Sequence, residues 1–385
     1  MYVKRSAYFG VMRASFIPFA LSRIVPSNKP ISAIFRKEVL AMSAYKVADA
    51  TGLIKLDAME NPYSWPEALK EKWLQVLKEC QLNRYPDPQA RQLVETIRRL
   101  NHIPNQFDIL LGNGSDETIL LLLMALPSGS GVLAPDPGFV MYRQLSQSLG
   151  LEYQGIPLLD NSFDLDLPAM LTAIEQYQPV IIFLAYPNNP TGNLFNESAI
   201  RQILETAEGL VVLDEAYGPF AGASFINELS QYDNLLVMRT LSKWGLAGLR
   251  LGYIVGNPSL IGELNKIRLP YNINILTQIS ADFALSNQSI FDQQTQKICA
   301  ERTTVFNELD QLEGITAYPS AANFILFRTP ENQASRIFES IRQQGVLIKN
   351  LSPQGGILAD CLRVTIGKPE ENAAFLTALK KTMLG

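Results

Sequence analysis

The chain has 385 residues, 47% hydrophobic and 18% charged, which is longer than one hydrophobic core usually organises and points to two or three domains. With 33 basic against 37 acidic residues the net charge is −4, too weak a positive field for a nucleic-acid partner, and no apolar run has the length of a membrane span. The single histidine, His102, excludes His-pair metal sites, and Cys80, Cys299 and Cys361 form no CxxC pair. Neither a metal nor a disulfide framework is therefore expected, and a reducing, cytoplasmic setting fits.

Residues 1–41 carry basic side chains and no acid before Glu38, so they are expected to form an N-terminal extension outside the fold, either loosely ordered or a targeting segment, with Met42 an alternative start. Beyond it, β-rich runs alternate with helical ones. SDETILLLLMAL reads as a buried helix, GVLAPD and QPVIIFLAY as strands, NESAIRQILETAEG as an amphipathic helix, and GLVVLDEAY and NLLVMRT as strands. Near-continuous Val/Ile/Leu runs suit strands covered on both faces, which makes this an α/β chain with a mostly parallel sheet sandwiched by helices. A helix-rich stretch from Gly262 to Leu312 precedes ITAYPSAANFILFR, GVLIKNL and DCLRVTIG, read as separate strands, and a terminal helix from Pro369. The expected organisation is an arm at 42–72 that also contributes to a small domain, a large domain at 73–285 and a small α+β domain at 286–385.

Polar residues recur just after the apolar strand runs: Asn189 in AYPNNPTG, Asp214 and Tyr217 in DEAYGPF, Ser242 and Lys243 in TLSKWGLAGLR. In open α/β sheets the strand ends form the ligand crevice, so these residues are expected to converge. Each alone has a plain structural meaning: Asp214 as a strand-end cap, Lys243 as a solvated surface lysine, GNGSDE as a turn with a serine N-cap. Together they suit a phosphorylated aromatic aldehyde. A lysine of lowered pKa can form a Schiff base with it, an aspartate can keep a pyridine nitrogen protonated, and the GNGSDE helix start offers free N–H groups to a phosphate. Pyridoxal phosphate meets all of these demands.

The runs AYPNNPTG, VVLDEAY, TLSKWGLAGLRLGY and CLRVTIG resemble those of fold-type I pyridoxal-phosphate aminotransferases, from Tyr45 to the C-terminus. Within that superfamily AYKVADATGLIKLDAMENPYSWP, NRYPDP, GNGSDE and PDPGFVMY are similar to the histidinol-phosphate aminotransferase branch. The resemblance implies that Lys243 is the Schiff-base lysine and Asp214 the pyridinium partner, with Tyr217 and Asn189 on the cofactor's 3-hydroxyl oxygen and Phe139 stacked on its ring. It implies that Ser242, Arg250, Ser115 and the backbone at Gly114 and Asp116 hold the phosphate. Tyr85 would reach the phosphate across a homodimer interface. Arg363, Lys349 and Tyr45, with Asn189, would bind substrate. Two departures stand out: Lys349 occupies a position that is often arginine, and the spacing from Lys243 to Arg250 is one residue shorter than the commonest pattern. Arg328, in NFILFR, reads as a strand-end surface arginine outside the site, and His102 as a surface helix end.

The reaction implied is transamination between L-glutamate/2-oxoglutarate and a phosphorylated imidazole substrate in histidine biosynthesis. Three alternatives remain open at this level. Two are an aromatic amino-acid aminotransferase and a pyridoxal-phosphate decarboxylase of a phosphorylated amino acid; the third is a cofactor-less protein on the same fold, against which the intact Lys243, Asp214, Asn189 and Arg250 count.

Overall fold

The apolar runs become strands because each is covered twice. In the computed structural model, which describes residues 29–44 and 47–384, the chain divides into two units, 1–42 and 43–385. The described part of the first contains a 3₁₀ turn at Ile31–Ala33 and a short helix at Lys37–Ala41. The second carries all the strands: β1 Ile54–Lys55, β2 Asp108–Gly112, β3 Gly131–Asp136, β4 Glu152–Pro157, β5 Ile181–Ala185, β6 Leu210–Asp214, β7 Leu235–Thr240, β8 Gly252–Gly256, β9 Thr316–Ala317, β10 Phe324–Arg328, β11 Val346–Leu347, β12 Lys349–Asn350 and β13 Cys361–Thr365.

Seven of them form one sheet in the order β2-β8-β7-β6-β5-β3-β4. Strands β4, β3, β5, β6 and β7 are mutually parallel and β8 runs antiparallel to both its neighbours, the mostly parallel mixed sheet expected. Successive side chains alternate between two cores. Ile182, Leu184, Leu213 and Val237 enter the cluster on one face, whereas Ile181, Phe183, Val212, Leu236 and Met238 enter the other. Burying one such side chain contributes about 1.5–3 kcal/mol, which is why these runs tolerate no polar residue before their C-terminal ends. The helix Ser115–Met124 buries Thr118, Ile119, Leu121, Leu122 and Leu123 on one of these faces. The amphipathic helix Glu197–Thr206 covers the other face and is capped by Asn196, whose Oδ1 accepts the N–H groups of Ser198 and Ala199.

From β3 the chain moves outward to β4, then returns to β5 on the other side of β3 and continues to β6 and β7. Loops on either side of the β3/β5 junction therefore diverge and leave a crevice at the strand C-termini. A second, antiparallel sheet has the order β12-β13-β10-β9 and packs around Phe324, Ile325, Phe327, Leu362 and Val364. The helix-rich stretch and the terminal helix Pro369–Leu384 appear as expected.

GVLIKNL is not the single strand expected. Its first half pairs in parallel with β1 and its second half pairs antiparallel with β13, because the chain changes partners at the buried Ile348. Arg328 is also more than a surface residue. Its guanidinium donates to Tyr318 Oη and to the carbonyls of Ala359 and Ile357, tying a loop to the end of β10. His102 is exposed just past the helix Arg91–Leu100, as expected. Among the described residues no helix is long and apolar enough to cross a membrane, and no cluster of His, Cys, Asp and Glu could hold a metal ion.

Candidate active site

Four strand ends of the large sheet meet the start of one helix. Phe139 follows β3, Asn189 follows β5, Asp214 ends β6, and Ser242 and Lys243 follow β7. These residues, with Ser115, Asp116, Tyr217 and Arg250, line a single cavity, so nine of the positions singled out from sequence are brought together. The register explains part of this convergence. Ala185, Asp214 and Met238 are aligned across β5, β6 and β7, so Asp214 takes the place of an apolar side chain on a face that is otherwise core.

Asp214 is 4% exposed; its Oδ1 accepts the Ala216 N–H at 3.1 Å and its Oδ2 accepts the Tyr142 O–H at 2.6 Å. Burial pushes its carboxyl up to about 6, against the pull of those two hydrogen bonds. Lys243 is shifted the other way. Burial, reinforced by the Arg363 charge, brings its ammonium down to about 8, so a free amine is accessible near neutral pH. Its Nζ donates to the Ala58 carbonyl at 3.2 Å and lies 5.8 Å from the Tyr217 ring centroid.

At the other end of the cavity an anion cradle is built from the helix start. Gly114, at φ +86°, precedes Ser115, and a Cβ there would collide with the Arg250 guanidinium, so close approach of the two requires glycine. Arg250 Nη2 is 3.0 Å from Asp116 Oδ2, and Ser242 Oγ lies 3.0 Å from Thr240 Oγ1. Between Lys243 and Arg250 the chain makes an irregular turn. Gly245 has φ +128° and Arg250 itself φ +49°, and both side chains still reach the same cavity.

A polar chain leads from this cavity to the small sheet. Asn189 Nδ2 donates to Tyr217 Oη at 3.1 Å, and Arg363 Nη1 donates to Asn189 Oδ1. Arg363, on β13, also donates to the Asp57 carbonyl at 3.0 Å and lies over Phe324. Lys349 on β12 is its cross-strand partner. Gly114, Lys349, Arg363 and Tyr85 are not among the residues lining the cavity. Tyr85 is 81% exposed and stacks on Tyr271 with ring centroids 4.4 Å apart, and Tyr45 lies outside the described residues.

The sequence reading missed Met59, Thr240 and Tyr142. Met59 lines the cavity in a left-handed conformation, φ +53°, held by its N–H to Thr365 Oγ1 and its carbonyl to Asn323 Nδ2. No local signal marks it. Thr240 stands two residues before Ser242 at the end of an apolar run, a signal of the kind that found Asp214.

The chain matches the aminotransferase class I and II family over residues 51–379. It is 57% identical over 346 residues to histidinol-phosphate aminotransferase 2 of Nitrosococcus oceani, covering 90% of this chain and 96% of that one. It is 48% identical over 359 residues to histidinol-phosphate aminotransferase 1 of Ralstonia nicotianae, covering 92% and 95%. Its fold is that of the histidinol-phosphate aminotransferase of Sinorhizobium meliloti solved in complex with pyridoxal-5'-phosphate, with a TM-score of 0.80 at 22% identity, covering 95% of this chain and 98% of that one. The chain belongs to the aminotransferase class I and II family.

Proposed function

We propose that the protein is a pyridoxal-phosphate-dependent histidinol-phosphate aminotransferase that moves an amino group between L-glutamate and imidazole acetol phosphate, giving 2-oxoglutarate and L-histidinol phosphate in histidine biosynthesis. The observation that carries this reading is the pairing, in one cavity, of a buried amine of lowered pKa with a buried carboxylate, beside an anion cradle and with Arg363 of the small sheet hydrogen-bonded to Asn189 of the lining. The relatives named for this activity, at 57% and 48% identity, support it over an aromatic amino-acid aminotransferase or a decarboxylase.

The donor set fits the cofactor. Ser115, Ser242, Arg250 and the backbone N–H groups at Gly114 and Asp116 would hold its phosphate, where the helix dipole adds to the charge of Arg250. Phe139 would cover one ring face, Tyr217 and Asn189 would bind the 3-hydroxyl oxygen, and Asp214 would face the ring nitrogen. When bound, pyridoxal phosphate supplies the electron sink for charge developing at the substrate Cα and the carbon that carries the amino group between substrates.

The chain's own residues do the rest. Lys243 Nζ takes the proton from the substrate Cα and returns it, and a pKa near 8 suits both directions. Asp214 holds the proton on the ring nitrogen. Arg363 and Lys349 bind the anionic end of each substrate, phosphate or carboxylate, and Arg363 does so through a guanidinium already oriented by Asn189 and the Asp57 carbonyl. Tyr45 would complete the pocket.

A homodimer with Tyr85 reaching the partner's phosphate belongs to the same reading. The stacked pair Tyr85 and Tyr271, with Leu82 and Leu269 near them in sequence and all four exposed, supports it. A cytoplasmic location suits three free, unpaired cysteines. The test is to add L-glutamate, histidinol phosphate and phenylalanine separately to the cofactor-loaded protein and follow the visible absorbance. Conversion by glutamate and histidinol phosphate is expected, and rapid conversion by phenylalanine but not histidinol phosphate would overturn the substrate assignment.

A further inference from the structure

Asp214 is hydrogen-bonded by Tyr142, the last residue of PDPGFVMY, to which the sequence reading assigns no role. Tyr142 lies in the helix Val140–Leu149, is 1% exposed, and stacks flat on Phe183 of β5, ring centroids 4.6 Å apart at 10°. It also makes an edge contact with Phe139 at 5.5 Å and 84°, and Ser146 Oγ donates to its backbone carbonyl. The ring is held by two aromatic contacts, and its hydroxyl donates to Asp214 Oδ2 at 2.6 Å, short for a neutral donor and typical of one meeting a carboxylate.

The choice of donor matters chemically. An arginine or protonated histidine at this point would neutralise Asp214 and compete with a protonated ring nitrogen for its charge. A phenol lends a hydrogen bond and leaves the full negative charge in place. We propose that Tyr142 is a positioning residue, whose hydroxyl fixes the rotamer of Asp214 and keeps its carboxylate ionised toward the cofactor's ring nitrogen. The inference rests on the pyridoxal-phosphate reading of the cavity.

The electrostatics agree with the geometry. Burial and the adjacent Asp214 charge raise the Tyr142 hydroxyl well above its ordinary value, so it stays a protonated donor. The other charges felt by Asp214 are Asp116, from the helix that starts at Ser115, and Glu215; both are acidic and push its carboxyl upward. Tyr153 and Tyr217 act in the same upward sense on Tyr142. The Tyr142 hydroxyl and the Ala216 N–H are thus the groups that favour the ionised carboxylate.

The test uses two readouts, one of them independent of the cofactor. In the cofactor-free protein, the ¹³C carboxyl titration of Asp214 should move to higher pH in Tyr142→Phe. In the protein loaded with ¹⁵N-labelled pyridoxal phosphate, the ring-nitrogen resonance should move toward the unprotonated position, and kcat should fall about tenfold or more with KM for both substrates little changed. Replacing Tyr142 with 3-fluorotyrosine keeps its size and makes it a stronger donor, so the Asp214 titration should move to lower pH; this variant decides the matter if Tyr142→Phe does not fold. An unmoved Asp214 titration, or an unmoved ring-nitrogen resonance with unchanged kcat, overturns the role of Tyr142. A native chain that retains no labelled cofactor instead overturns the reading beneath it.

Discussion

Lys349 and Arg363 stand directly opposite each other on β12 and β13. Side chains at such a pair share one face, and like charges there repel by up to roughly 1 kcal/mol, a cost that an anion bound between them, as proposed, would offset. Lys349→Met should therefore leave the free protein as stable or slightly more so, while raising KM for histidinol phosphate about tenfold or more and for L-glutamate by less. Lys349→Arg should restore tight binding, because a guanidinium offers phosphate two parallel donors. Steady-state kinetics with both substrates checks this, and an unchanged KM for histidinol phosphate in Lys349→Met would remove the residue from the pocket.

The buried amine predicts a pH effect on the cofactor-free protein. Lys243 falls from an ordinary 10.5 to about 8 on folding, so the unfolded chain binds the proton more tightly between those values. Its contribution to stability is thus complete above pH 10.5 and is lost as pH falls through 8, a difference on the order of 3 kcal/mol. Lys243→Met, which cannot titrate, should be more stable than the native chain at pH 7, and the advantage should vanish by about pH 10.5. Urea denaturation of both cofactor-free proteins across this range provides the measurement, and a pH-independent gap would contradict it.

Beside Asp214, Glu215 is fully buried and accepts hydrogen bonds from Ser224 Oγ, the Phe225 N–H and Arg239 Nε, the last at 2.9 Å. Arg239 is tied in turn to Asn101 Oδ1. Removing one partner of a buried pair leaves the other charge uncompensated, so Glu215→Ala should cost about 3–5 kcal/mol and Glu215→Gln less. Thermal unfolding of the two variants checks the order.

The strand-end chemistry was legible because polar residues interrupt apolar runs at positions where only a ligand crevice rewards them. Asn189, Asp214, Ser242 and Lys243 all carry that local signature, and the sheet was legible in the same runs. The roles of Glu215 and Tyr142 were not. Tyr142 has four apolar or aromatic neighbours within four residues, and only the packing of its helix on β5 turns its hydroxyl toward Asp214. Met59 and the carbonyls of Asp57 and Ala58 are likewise set by long-range bonds to Thr365, Arg363 and Lys243. The split of GVLIKNL between two sheets escaped notice for a related reason: hydrophobic periodicity marks a strand but not its partner.

Tyr85 does not line the cavity of its own chain, and in the proposed homodimer its effect would cross the interface. Tyr85→Phe should keep the dimer in sedimentation experiments while weakening pyridoxal-phosphate retention about tenfold, the scale of one hydrogen bond to a charged group. A native chain that sediments as a monomer and holds the cofactor equally well would contradict the shared site.

Lys243 is the residue proposed to join the cofactor. Borohydride treatment of the cofactor-loaded protein, followed by peptide mass spectrometry, reads this directly. A phosphopyridoxyl group is expected on the peptide containing Lys243 and on no other lysine; the label on a different lysine, or none in a protein that still turns over histidinol phosphate, would contradict the role of Lys243.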